Sequence, residues 1–234
     1  MYHYSSRKKD NIRKNKFLLT ALISIIPFIL ILITTLFGWE KITQIDYQLS
    51  RYFYSWHQPT LNSIMTLITH MGDAITQSLV TIITVIFLFI MKKWRSGLWY
   101  GLTVLLGALL LNGAVKEFYE RARPSEIEPL VEIGGYSFPS GHSMGAAIVY
   151  GGILFLIFRF LRSSRLKAFF SVTIITIILL IGFSRIYLAV HFPSDVIGGF
   201  SLGLSWLTLS ITILGIKYTN RELGINSRYS IKNL

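Results

Sequence analysis

The chain has 234 residues, 52% of them hydrophobic and only 15% charged, with a net charge of +12, no cysteine and a mean hydropathy of +0.54. An ordinary soluble domain is excluded, because it would carry more charge and keep its apolar residues on one face of each element. Disulfides and thiolate metal sites are excluded by the absence of cysteine.

Six apolar runs follow in order, at residues 17–37, 74–91, 98–115, 143–160, 168–183 and 196–216. A helix crossing the hydrocarbon core needs about 20 such residues. The pattern predicts an all-α polytopic membrane protein with six transmembrane helices, the fifth extending to Leu188 with Arg185 at the interface. The first run follows a basic segment, as a secretory signal would. It is too long for an h-region and ends in LFGWE without a small-x-small cleavage site, so a retained helix is expected. Residues 1–16 read as a basic tail, 17–216 as one membrane domain and 217–234 as a second tail.

Between the first two runs, Ile42, Ile45, Leu49, Phe53 and Trp56 fall three or four apart, the stripe of an amphipathic helix, with Tyr47, Tyr52 and Tyr54 beside it. It either lies on the outer membrane surface or packs on neighbouring helices. His70 and Asp73, in THMGDA, read as an interfacial histidine and a helix cap outside any site. The glycine pairs Gly97/Gly101, Gly141/Gly145 and Gly199/Gly203 have the small-xxx-small spacing of close helix packing.

The basic residues are not spread evenly. Most of the 23 lie before the first run, between the second and third, between the fourth and fifth, and after the sixth, whereas most of the 11 acids lie on the other side. The positive-inside rule then places both termini in the cytoplasm. The basicity is topological, so nucleic acid is not an expected partner.

Ionisable groups at the ends of membrane helices are costly and point to function. Three outer segments gather them. In KEFYERARP, Lys116 and Arg123 are nearly two helical turns apart, and Pro124 disfavours helix at Arg123, which is expected to reach back. In FPSGHS, Ser140 can cap a helix start or donate to a ligand, Gly141 opens the backbone to an anion, and His142 can exchange a proton near neutral pH. An ordinary capped helix start would look the same in isolation. In SRIYLAVHFPSD, Arg185 is a third cation, and Pro193 places Asp195 in the first turn of the last helix with His191 just outside it. Asp195 there can orient the His191 Nδ1–H and leave Nε2 as a nucleophile, or simply favour the helix dipole.

Together the three segments resemble the signature of the type-2 phosphatidic acid phosphatase superfamily. KEFYERARP fits K-x6-R-P, FPSGH contains P-S-G-H, and SRIYLAVHFPSD fits S-R-x5-H-x3-D, in the family order and without departures. The resemblance implies hydrolysis of a lipid phosphate ester or diphosphate through a phosphohistidine, with no metal and no other cofactor. By motif position His191 is the nucleophile, Asp195 its orienting partner and His142 the acid for the leaving oxygen. Lys116, Arg123, Ser140, Gly141 and Arg185 hold the phosphoryl oxygens, with Ser184 a lesser candidate. Glu126, Glu128 and Glu132 read as solvated loop residues, not metal ligands.

Within that superfamily the short six-helix chain is similar to bacterial plasma-membrane phosphatases acting on phosphatidylglycerophosphate or undecaprenyl diphosphate. An outward-facing site favours undecaprenyl diphosphate, the cell-wall lipid carrier released on the outer leaflet. A lipid phosphotransferase would use the same residues. A transporter or flippase is disfavoured by the absence of an internal repeat and of ionisable residues in mid-helix. Lipid phosphates and membrane lipids are the expected partners, and the sequence carries no signal for oligomeric state.

Overall fold

The computed structural model describes residues 2–37, 40–125, 127–131 and 134–223. Every regular element among them is helical: α1 (Tyr2–Leu36), α2 (Glu40–Tyr54), α3 (Pro59–His70), α4 (Ala74–Ile90), α5 (Trp94–Val104), α6 (Asn112–Tyr119), α7 (Gly141–Phe160), α8 (Ser164–Tyr187), α9 (Pro193–Ser210) and α10 (Ile216–Glu222). Wider π-helical turns at Leu105–Leu111 and Ile211–Gly215 join α5 to α6 and α9 to α10. Among the described residues, five continuous stretches are long and apolar enough to cross a membrane: Asn11–Thr34, Trp94–Tyr119, Gly141–Phe160, Ser164–Tyr187 and Pro193–Glu222. The pair α3 and α4, bent by 46°, makes a sixth if taken as one span.

The all-helical class and the six apolar spans thus match the sequence pattern, with differences at the ends. Helix α1 starts at Tyr2, so residues 2–16 are helical and run continuously into the first span, whose apolar stretch begins at Asn11. Residues 217–222 likewise continue the last one in α10. Glu126, Glu132 and residues 224–234 lie outside the described residues, and Glu128 is exposed.

Helix α7 is the centre of the bundle. Met144, Ala146, Ile148 and Val149 are fully buried on successive faces, which suits a helix surrounded by others. It packs on α8 and α9, and α1 packs on α9. In lipid, close packing and hydrogen bonding drive such contacts, because the surroundings are as apolar as the side chains. Gly199 and Gly203 permit the α7–α9 contact: a Cβ at Gly199 would lie 2.6 Å from the Ser140 carbonyl oxygen, and one at Gly203 2.8 Å from that of Met144. Pro27 interrupts the α1 hydrogen-bond ladder. Ser201 of α9 bridges the gap, accepting from the Phe28 N–H at 3.0 Å and donating to the Ser24 carbonyl.

Helix α2 packs on α8 and α9, but the face it buries is not the apolar stripe. Asp46 and Ser50 are buried, Ile42 and Phe53 are half-buried, and Ile45, Leu49 and Trp56 point outward. Phe53 packs edge-on to Phe183 at 5.2 Å. The stripe is therefore divided, part packing on the bundle and part left to the surroundings.

Candidate active site

Helix α6 stops because Glu120 adopts a left-handed conformation, φ 49°, as its C-terminal cap. Lys116 lies in the last turn and donates to the Tyr136 carbonyl at 2.6 Å. The extended chain that follows sends Arg123 back over the helix ends. Its guanidinium donates to the carbonyls of Gly134, Gly135 and Val190 at 2.9, 2.9 and 2.7 Å. Its Nη1 also stands 3.3 Å from Nε2 of His191.

Ser140 is the N-cap of α7, accepting from the Ser143 N–H at 3.4 Å and the Ser143 hydroxyl at 3.0 Å. Its own N–H donates to the Asp195 carbonyl at 3.0 Å, which joins the start of α7 to the start of α9. Gly141 leaves the backbone open, since a Cβ there would meet Asn112 Oδ1 at 3.1 Å and Lys116 Cε at 3.9 Å. His142 Nε2 lies 2.8 Å from Asp73 Oδ1, and the other carboxylate oxygen is 2.7 Å from Nδ1 of His70.

Arg185 closes α8 and is 2% exposed. Its Nη1 donates to Thr69 Oγ1 at 2.6 Å, and its buried Nε has no partner among the described residues. His191 is also 2% exposed, in the turn between α8 and α9. Burial pushes its imidazole pKa down to about 3 against the pull of Asp195, so the ring is neutral at pH 7. Nδ1 faces Asp195 Oδ2 at 3.5 Å and Ser137 Oγ at 3.4 Å. With a guanidinium donor at Nε2, the consistent tautomer carries its proton on Nδ1 and keeps a lone pair on Nε2.

Asp195 is fully buried, and its oxygens are divided between partners. Oδ1 accepts from Arg121 at 2.6 Å, while Oδ2 accepts from Ser137 at 2.5 Å and from the Phe192 N–H at 2.8 Å. The two neighbouring arginines differ accordingly. Arg121 is held by carboxylates, whereas Lys116, Arg123 and Arg185 form no ion pair with a carboxylate among the described residues. Three such cations around one space would repel each other unless an anion joined them. Among the described residues no cluster of three histidine and acidic side chains is placed to hold a metal ion.

A cavity of about 610 Å³ opens at this point, with Lys116, Arg123, Gly141, His142, Arg185 and His191 on its wall. It continues between α4 and the π-helical turn, past Gln77, Thr81, Leu105, Ala108 and Leu109. A larger cavity of about 770 Å³, lined by Phe17, Gly151 and Leu207, is almost wholly apolar and contains none of these groups.

Residues 96–218 match the sequence profile of the PAP2 superfamily, more than half of the chain. The chain belongs to the PAP2 superfamily. Its PAP2 relatives include phosphatidylglycerophosphatase B of Bacillus subtilis (strain 168), 44% identical over 152 residues, which are 63% of this chain and 72% of the relative. The undecaprenyl-diphosphatase of Sulfolobus acidocaldarius is 32% identical over 165 residues, 66% of this chain and 71% of the relative. The crystal structure of the transmembrane PAP2-type phosphatidylglycerolphosphate phosphatase from Bacillus subtilis superimposes with a TM-score of 0.74 at 36% identity, covering 82% of this chain and 94% of that one.

Six of the PAP2 motif residues named from the sequence share the cavity wall. Ser140 and Asp195 lie behind it, fully buried, and Ser184 turns away to donate to the Ile181 carbonyl at 2.6 Å. Asp73 corrects the sequence reading. It occupies the N-cap position of α4 but makes no side-chain cap bond, and its carboxylate instead joins His70 to His142. The H-x-x-D spacing of THMGDA was the available signal. Arg121, Ser137 and Asp46 carried none, because nothing in sequence separates them from ordinary polar loop and surface residues.

Proposed function

We propose that the chain hydrolyses the terminal phosphate of a lipid phosphate ester or diphosphate, with the phosphoryl group at the head of the 610 Å³ cavity and the lipid chain along its apolar extension. The observation that carries this reading is the set of three cations, Lys116, Arg123 and Arg185, that have no carboxylate partner among the described residues and stand around two imidazoles. Arg123 and Arg185 offer planar forks to phosphoryl oxygens, Lys116 a point charge, and the first N–H groups of α7 the positive end of a helix. Phosphoryl transfer is mostly positioning and charge stabilisation, which these groups supply without a bound metal.

In the first step His191 Nε2 attacks phosphorus while the bond to the lipid-side oxygen breaks. The carboxylate of Asp195, facing the Nδ1–H, stabilises the positive charge gained by the ring. Protonated His142, stabilised by Asp73, gives its proton to the leaving oxygen. In the second step water attacks phosphorus, His142 takes the water proton, and the P–N bond breaks to release phosphate and restore His191.

Orientation follows from the charges. Lys92, Lys93 and Arg162 lie in the connections at the end away from the cavity, with Arg159, Arg165 and Lys167 in the adjoining helix turns, and by the positive-inside rule this supports a cytoplasmic position for that end, with the segments 1–16 and 217–234. The membrane domain 17–216 then opens its site to the outer face of the plasma membrane. This favours undecaprenyl diphosphate, while similarity to phosphatidylglycerophosphatase B favours phosphatidylglycerophosphate.

The test is phosphate release by purified protein in EDTA from undecaprenyl diphosphate, phosphatidylglycerophosphate and phosphatidate. The wild type is expected to release phosphate from at least one lipid, and the relative kcat/KM values rank them. His191→Ala is expected to lower the rate by about 10⁴-fold or more, as loss of a nucleophile does. No release from any of the three lipids would overturn the reading.

A further inference from the structure

Helix α2 buries a carboxylate where an amphipathic surface helix would bury apolar residues. Asp46 is 2% exposed, and such burial is stable only with full hydrogen bonding and a counter-charge. Both are present. Asp46 Oδ1 accepts from the Ser194 N–H at 3.0 Å, and Oδ2 accepts from the Ser194 hydroxyl at 2.5 Å and from Arg121 Nη2 at 2.8 Å. The other arm of Arg121 donates to Asp195 Oδ1 at 2.6 Å and to Ser194 Oγ at 2.7 Å. The guanidinium lies 4.6 Å from the Phe192 ring centre, and Tyr47 of α2 packs edge-on to the same ring at 5.1 Å.

We propose that Asp46 is a positioning residue for the reaction: from α2 it holds Arg121 and the first turn of α9, and through them fixes the carboxylate of Asp195 against His191. This rests on the proposed role of His191. The geometry gives Asp46 two tasks. Phe192, the N-cap residue of α9, has no side-chain oxygen to accept from the free N–H groups of the first turn. Asp195 covers one of them, the N–H of Phe192, and Asp46 covers that of Ser194 from a separate helix. Second, Asp46 anchors one end of the Arg121 fork, so that the other end occupies Oδ1 of Asp195 and leaves Oδ2 on the His191 side. Lysine could not divide itself between two carboxylates in this way.

The test uses Asp46→Asn, Arg121→Lys, Arg121→Met and the double variant Asp46→Asn/Arg121→Met, assayed on whichever lipid the wild type hydrolyses. Asp46→Asn and Arg121→Lys are each expected to lower kcat by about tenfold or more, the scale on which outer partners of reacting groups act, with KM within about twofold of wild type. Rates are taken per folded molecule, from the monodisperse fraction whose thermal transition matches wild type. Adding Asp46→Asn to Arg121→Met is expected to cost less than it does in the wild type, because both act on Asp195. Wild-type kcat in folded Asp46→Asn and Arg121→Lys would overturn the proposal, as would a raised KM at unchanged kcat or fully additive losses in the double variant. If Asp46→Asn does not fold, Arg121→Lys decides by the same kcat and KM criteria. These outcomes require an active wild type, so they are distinct from a failure of the phosphatase reading, in which the wild type itself releases nothing.

Discussion

Arg121 and Arg123 stand two positions apart in one loop and face different duties. Arg121 joins two buried carboxylates inside the protein, and Arg123 hangs from backbone carbonyls with its charge on the cavity. The K-x6-R-P spacing singled out Arg123. No spacing rule marks Arg121, because its partner Asp46 is remote in sequence and meets it only through tertiary packing. Histidine chemistry at this scale gives two predictions. First, folding binds fewer protons than unfolding wherever His191 is neutral in the fold and charged in the unfolded chain, between about 3 and its ordinary 6.5. That stability is intact above pH 6.5 and is lost as pH falls towards 3. Melting temperatures measured from pH 7 to pH 4 should therefore fall less steeply in His191→Gln than in wild type. Second, Asp73→Asn should slow hydrolysis of lipid esters by about ten- to a hundredfold, less than the roughly 10²–10⁴-fold of a general acid itself because Asp73 acts through His142. An aryl phosphate with a good leaving group should be affected far less, and a uniform loss across both substrates would contradict the Asp73–His142 assignment.

Among the elements, the six apolar runs were legible because lipid demands long uninterrupted apolar helices, a constraint that sequence shows directly. The burial of α2 was not legible. Its apolar stripe suggested which face would turn inward, but the bonds of Asp46 to Arg121 and Ser194 decided otherwise. The glycine spacing was informative in α9, where Gly199 and Gly203 bring α7 within backbone contact and so join Ser140 to Asp195. Gly199→Ala should destabilise the protein by about 1–3 kcal/mol, the usual cost of overpacking, and should lower activity with it. Gly113→Ala, where a Cβ would meet nothing within 4 Å, should leave the melting temperature unchanged or higher. Equal melting temperatures for both variants would show that the α7–α9 contact is looser than described.

For the molecule as a whole, a chain without cysteine lends itself to single-cysteine labelling. Ser125 and Arg162 are exposed, the first in the loop before the cavity and the second between α7 and α8. In intact cells a membrane-impermeant maleimide should label Ser125→Cys, whereas Arg162→Cys should react only after permeabilisation. The opposite pattern would reverse the topology and remove the argument for an outer-leaflet substrate. The family and the helix count were legible in three short motifs and in hydropathy. The hydrogen-bond network behind the motifs was not, since each bond joins residues far apart in sequence.

The most direct measurement is rapid quenching in alkali of the enzyme mixed with a substrate radiolabelled in the terminal phosphate. A phosphohistidine on His191 should appear in the first turnover as an acid-labile, alkali-stable label on the protein, should decay on chase with unlabelled lipid, and should be absent from His191→Ala. Phosphate release without any labelled protein in wild type, or a label that survives in His191→Ala, would contradict His191 as the nucleophile.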